Sequence, residues 1–167
     1  MKTMKTIDEA DVYRWLAEVP DPEIPVINIL ELGVVRGVSI SENQEAVQVK
    51  ITPTYSGCPA MDIISMQIRM VLLSRGVKNV QIDYQLSPAW TSDWIPESAK
   101  QKMLRHGIAP PTRKSTEQTG LFDEEPVPCP HCGSANTALV SQFSSTSCKA
   151  MYRCNSCREP FEHFKCH

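Results

Sequence analysis

The sequence predicts two small modules on one chain, an α+β domain of two layers followed by a β module of zinc-ribbon type. Three observations lead there. Within residues 1–108 the apolar positions switch between helical and alternating spacing in the order helix, strand, strand, helix, strand. A stretch rich in proline and charge then covers 109–126, about the length at which a structureless connection becomes a linker. Residues 127–167 hold six of the seven cysteines, four of them in two C-x-x-C pairs.

Each element has its own local reason. Thr6 with Glu9 three residues later is a capping-box pattern, and Val12, Trp15, Leu16 and Val19 continue it at one-face helical spacing as far as Pro20. The following D-P-E-I-P-V-I, residues 21–27, reads as a stiff loop, because each proline removes a donor and pushes its predecessor toward extended backbone. Val34 to Ile40, then Val47, Val49 and Ile51, flank a turn-like S-E-N-Q and suggest a hairpin with one buried face. From Pro59 the stripe Ala60, Ile64, Ile68, Val71 and Leu72 is helical and stops at Gly76. Val80, Ile82, Tyr84 and Leu86 alternate as a third strand, completing a small mixed sheet. A short helix is expected from Pro96 to His106, closed by Gly107.

Composition narrows the function. The 167 residues are 41% apolar and 22% charged, ordinary values for a globular chain. No apolar run reaches signal-peptide or membrane-span length, so the expectation is a cytoplasmic protein with no membrane partner. In that reducing compartment an odd number of cysteines reads as metal ligands or reactive thiols rather than disulfides. The net charge of −2, with +2 in residues 127–167, is too small and too dispersed for a nucleic-acid interface. The sequence contains no Ser-His-Asp signature, phosphate-cradling glycine loop or Glu-x-x-His motif, so a self-contained enzyme is not expected.

The strongest motif is the pair of knuckles C-P-H-C (Cys129, Cys132) and C-N-S-C (Cys154, Cys157), which together supply four thiolates at tetrahedral spacing. About forty residues with few aromatics bury too little surface to fold unaided. Structural zinc supplies on the order of 10 kcal/mol of folding free energy in such modules. A four-cysteine iron-sulfur cluster uses the same ligand type and stays open. Cys148, inside the gap between the knuckles, reads either as a small buried hydrophobe, a substitute ligand or a second reactive thiol. Cys166 and His167 are either a frayed terminus or further ligands, and His131 is a solvent-facing knuckle residue.

Cys58 stands alone in T-P-T-Y-S-G-C-P, residues 52–59, where the strand pattern stops and the helical one begins. With Pro59 at the first helical position, Cys58 becomes the N-cap. Unpaired backbone N–H groups and the helix dipole would then favour thiolate, moving a thiol from about 8.5 to about 7. The alternative is an inert, buried cap. Asp21 and Glu23 read as a solvated, proline-stiffened loop or as a metal or partner contact, and Trp90 and Trp94 as core or docking aromatics.

Four stretches carry a resemblance: D-P-E-I-P-V-I-N-I-L-E-L-G-V-V, T-P-T-Y-S-G-C-P-A, L-S-P-A-W-T-S-D-W and S-T-S-C-K-A-M-Y-R-C-N-S-C-R-E-P-F-E-H-F-K-C-H. The first two resemble the SufT-like, metal-sulfur cluster biosynthesis family of small α+β proteins. All four together resemble the D-subunit family of bacterial phenylacetyl-CoA 1,2-epoxidase systems, from about Val19 to the end. The resemblance implies an accessory, non-catalytic component of a multicomponent monooxygenase in aerobic phenylacetate degradation. Its partners would be the oxygenase subunit, which carries a diiron centre, and the flavin and iron-sulfur reductase, whose metal centres it would help assemble or maintain. Cys58 matches the cysteine of the family's Thr-Pro-x-x-x-x-Cys-Pro region, and Asp21, Pro22 and Glu23 match its Asp-Pro-Glu loop. Together Cys58, Asp21 and Glu23 would handle transient iron or a cluster. Glu31 stands where the wider family has Asp, which leaves its geometric role open. A pure adaptor and a general iron-sulfur carrier are the alternative readings, and dimerisation is left open.

Overall fold

The computed structural model describes residues 6–43, 45–111 and 126–165. These form two compact units, one ending at Trp90 and the other beginning at Thr91. Most of the expected linker, together with Cys166 and His167, lies outside the described residues.

In the first unit α1 (Glu9–Leu16) is capped by Asp8, whose side chain accepts from the Asp11 N–H at 2.7 Å. The cap is therefore Asp8 and not Thr6: a carboxylate two residues closer reaches the first turn's unpaired donors. The loop from Pro20 to Asn28 closes on itself through a bridge between those two residues. Asn28 and Glu31 then form a reciprocal box, with the Asn28 side chain accepting from Glu31 N–H at 2.9 Å and Glu31 Oε2 accepting from Asn28 N–H at 3.0 Å. That gives Glu31 its role, since the glutamate reaches back across the turn.

β1 (Val35–Ile40) and β2 (Ala46–Ile51) form the expected hairpin, and β3 (Asn79–Tyr84) joins β2 in parallel, giving the order β1-β2-β3. A parallel neighbour requires a crossover, and α2 (Ala60–Ser74) supplies it. Alternation on β2 sends Val47, Val49 and Ile51 into the core, where α1 contributes Val12 and Leu16 and α2 contributes Ile64, Ile68 and Leu72. After α2 the chain turns at Gly76, whose φ of 95° is a left-handed conformation that a side chain would strain. The third strand ends at Tyr84, and Leu86, expected on it, is exposed.

The second unit contains a 3-10 turn (Ser92–Trp94), α3 (Glu97–Arg105), β4 (Ile108–Ala109), β5 (Thr137–Ser141), β6 (Lys149–Cys154) and β7 (Pro160–Phe164). Its sheet has the order β4-β7-β6-β5, antiparallel except where β4 runs parallel to β7. The expected boundary at 108 leaves α3 in the first module, but the second unit begins at Thr91 and includes it, and β4, which follows α3 directly, is a strand of the ribbon's own sheet. Strand pairing between such distant segments leaves no local signature.

Candidate functional site

The ribbon sulfurs converge. Cys129, Cys132, Cys154 and Cys157 have their Sγ atoms within 4.8 Å of one another, with Cys129 to Cys157 at 3.7 Å and Cys132 to Cys154 at 3.6 Å. A zinc ion with ligands at about 2.3 Å in a tetrahedron spaces its sulfurs by about 3.8 Å, so these edges fit one mononuclear ion. A four-iron cluster, in which each thiolate binds a different iron, would hold its sulfurs farther apart. The donor set and its size therefore fit zinc, which would cross-link the two knuckles without chemistry of its own.

Each knuckle is shaped by its backbone. In the first, Cys129 N–H donates to Ser134 O at 3.0 Å and Gly133 N–H to Cys129 O at 2.8 Å; in the second, Cys154 N–H donates to Glu159 O at 3.0 Å. The residue after each second cysteine is left-handed, Gly133 at φ 74° and Arg158 at φ 66°. The knuckles meet through Ser134 and Ser156 at 2.8 Å and through Asn155 and Asn136 at 2.9 Å. Electrostatically the site is frustrated without a cation. Cys154 is lowered to about 6, chiefly because the Cys157 N–H is aimed at its sulfur. Cys157 is pulled down by the Glu159 N–H, yet burial and the three neighbouring sulfurs outweigh this and push it to about 12. One bound divalent ion lets all four ionise together.

Around this centre Val127, Phe161 and Ala109 pack with the buried Cys129 and Cys154, and the Tyr152 ring stacks on Phe161 at 5.8 Å. His163, held down at about 4 mainly by burial, stays neutral and donates its Nδ1–H to Ala109 O at 3.1 Å, fastening β4 to β7. Buried Lys149 pairs with Glu162 at 2.7 Å. Burial alone would raise the Glu162 carboxyl, but hydrogen bonds from Lys149, Ser144 and Ser145 hold it near 2. Cys148 is buried outside the four-sulfur cluster, 3.1 Å from the Thr146 hydroxyl. His131 is exposed, and its ring lies against Gly107.

Cys58 is a different kind of site. α2 begins at Ala60 with Pro59 as its cap, so Cys58 stands one residue outside the expected capping position, although its carbonyl accepts from Met61 N–H at 3.3 Å. It is 9% exposed. The expected lowering of its pKa does not occur: the thiol is raised, first by burial and then also by the negative charge of Glu23, against the opposing Ala60 N–H and the Thr54 and Tyr55 side chains. Here the cost of burying a thiolate outweighs the pull of the helix start.

Of the three residues, Glu23 acts on the Cys58 thiol through its charge, and Asp21 holds the backbone of the loop that carries Glu23. Asp21, 3% exposed, accepts from the N–H groups of Glu23 at 2.9 Å and Ile24 at 2.7 Å, fixing the loop that presents Glu23. Thr54 and Tyr55, which sequence reasoning did not single out, reach the Cys58 sulfur; the only signal was their place in the same octapeptide. Trp90 is a core residue whose Nε1–H donates to Leu32 O at 2.9 Å.

The first unit is thus a small α+β domain with a lone buried thiol at a helix start, and the second a β unit with a four-thiolate centre of zinc-ribbon type. Residues 9–83 match the family described as iron-sulfur cluster assembly protein, and residues 113–165 match the PaaD zinc beta ribbon domain. The chain is 46% identical, over 93% of its length and 92% of the relative's, to an Escherichia coli (strain K12) protein named as the D component of 1,2-phenylacetyl-CoA epoxidase. The chain belongs to this D-component family. It is also 41% identical to an Fe-S protein maturation auxiliary factor of Porphyromonas gingivalis (strain ATCC BAA-308 / W83), over 54% of this chain and 86% of that one. Among solved structures, a domain of unknown function, DUF59, from Bacillus anthracis is similar with a TM-score of 0.53 and 28% identity, covering 57% of this chain and 90% of its own. Among the described residues no helix is long and apolar enough to cross a membrane.

Proposed function

We propose that this protein assists the assembly or maintenance of iron-sulfur or diiron centres in the oxygenase and reductase subunits of a phenylacetyl-CoA 1,2-epoxidase, with Cys58 as the transient iron-binding group. The observation that carries the reading is the buried Cys58 thiol at the strand-to-helix turn, within the field of the Glu23 carboxylate whose loop Asp21 fixes, in the domain that matches the iron-sulfur assembly family. A thiol that feels a carboxylate's negative charge has the electrostatics to attract a cation as cargo. The raised thiol keeps Cys58 protonated at neutral pH until a metal displaces the proton, so iron is bound with proton release and given up when the proton returns. The ribbon then serves as a rigid docking body with a permanent ion.

Burial of Cys58 favours a second reading, a pure adaptor that carries no metal. The test is to purify the epoxidase and its reductase from cells with and without this protein and to measure their iron and acid-labile sulfide. Depletion of either in its absence supports the assembly role, and unchanged content leaves the adaptor.

A further inference from the structure

α2 has two apolar faces. Ala60, Ile64, Ile68 and Leu72 are buried in the core of the first unit, but Ile63, Met66, Met70 and Leu73 are 45%, 54%, 61% and 50% exposed. A surface helix ordinarily carries polar residues on that side. The exposed set recurs at steps of three, four and three residues, the spacing of a two-helix seam. It also reads nearly the same in both directions, Ile-Met-Met-Leu against Leu-Met-Met-Ile, centred on Ile68. Two copies of α2 laid antiparallel would place Ile63 on Leu73 and Met66 on Met70 of the second copy, as a two-fold contact requires.

The surroundings complement this partner. Asp62, exposed in the first turn, falls opposite the neutral Ser74 at the other copy's helix end, so no like charges meet there. A parallel arrangement would instead set Asp62 on Asp62. Arg69, the charge nearest the middle of the seam, is turned away to the Val80 carbonyl. Beside Met70 lies a hollow of about 160 Å³ lined by Glu18, Val19, Pro20, Gln67 and Val71, with room for one long thioether side chain. In the antiparallel register the residue over Met70 is Met66 of the second copy, which fills it. The seam offers on the order of 400 Å² of apolar surface per copy, below the roughly 600 Å² per partner of stable specific interfaces, and so sets a weak, reversible dimer.

We propose that this face of α2 is the contact of an antiparallel, two-fold dimer of the chain. Such a dimer does not depend on the role of Cys58. It is tested on the full, zinc-loaded chain by sedimentation velocity from about 1 to several hundred micromolar, a range suited to weak association. Wild type is expected to shift from monomer to dimer. Met66→Glu weakens association by about tenfold or more, because it sets a buried charge on Met70. The double variant Met66→Glu with Met70→Lys recovers to within about threefold of wild type, because each glutamate then faces a lysine of the other copy. Zinc content and circular dichroism report that the variants fold. On wild type alone, hydroxyl-radical labelling of Met66 and Met70 falls severalfold as concentration rises. A wild-type monomer throughout, a double variant as weak as the single one, or labelling that does not depend on concentration would overturn the proposal; the last result would mean that another part of the chain or a different partner covers the seam.

Discussion

Four sulfurs in the ribbon crowd within 4.8 Å of one another, whereas the Cys58 sulfur is met by a threonine and a tyrosine and feels the charge of a glutamate. Both sites use thiols, and both are partly cut off from water. The difference lies in what neutralises the charge. In the ribbon only a bound cation resolves the conflict among neighbouring thiolates, so the ion is part of the fold. At Cys58 a proton suffices, and the unit around it has a core of its own in Val12, Leu16, Ile64 and Ile68. The proposed division into a permanent site and an exchangeable one rests on the number of thiols and the size of the surrounding core.

The comparison breaks most readily at the ribbon. Removing its ion with a chelator, or replacing Cys154 with Ser, should unfold the second unit while leaving the first intact. In a heteronuclear NMR spectrum the β5, β6 and β7 amides would collapse to random-coil positions while the β1, β2 and β3 amides stay dispersed. Loss of both sets would show that the first unit does not stand alone.

A smaller effect concerns the ribbon's other device, the Lys149–Glu162 pair. The folded Glu162 carboxyl, near 2, lies below its unfolded value, so its contribution is present above about pH 4.5 and is lost as pH falls toward 2. Water reaches 24% of the Glu162 side chain, which holds the contribution to about 1–2 kcal/mol. The stability gap between wild type and Glu162→Gln, followed by denaturant titration, should be constant from pH 6 to 8 and narrow below about pH 4.5. A gap that widens on acidification would reverse the sign.

Cys58→Ser should cost about 1 kcal/mol or less, since a hydroxyl can keep the same neighbours. Thermal unfolding of the first unit measures this; a loss of several kcal/mol would recast Cys58 as a core residue. Glu23→Gln should do least to the fold and should lower the Cys58 thiol, because it removes a negative charge that raises it. The pH midpoint of Cys58 alkylation would then move down, and an upward move would place Glu23 elsewhere.

The readability of these features from sequence follows their range. The knuckle ligands, the hairpin and α2 depend on spacings of a few residues, and the four sulfurs meet as the C-x-x-C pairs indicate. The Asn28–Glu31 box is equally local, but comparing Glu31 only with the Asp of the wider family does not reveal it. Burial of Cys58 and the charge of Glu23 acting on it depend on how a distant loop folds near the strand-to-helix turn, so a rule for exposed helix starts gives the opposite direction of shift. Assigning α3 to the ribbon unit likewise required knowing that β4 pairs with β7.

The most direct measurement is the iron and acid-labile sulfide content of the epoxidase oxygenase and its reductase, purified from cells that carry either the wild-type chain or Cys58→Ser in place of it, with the ribbon zinc quantified in both. The account predicts full ribbon zinc in both chains and depleted iron or sulfide in at least one partner when Cys58 is lost. Partners with equal iron and sulfide in the two cells would contradict it.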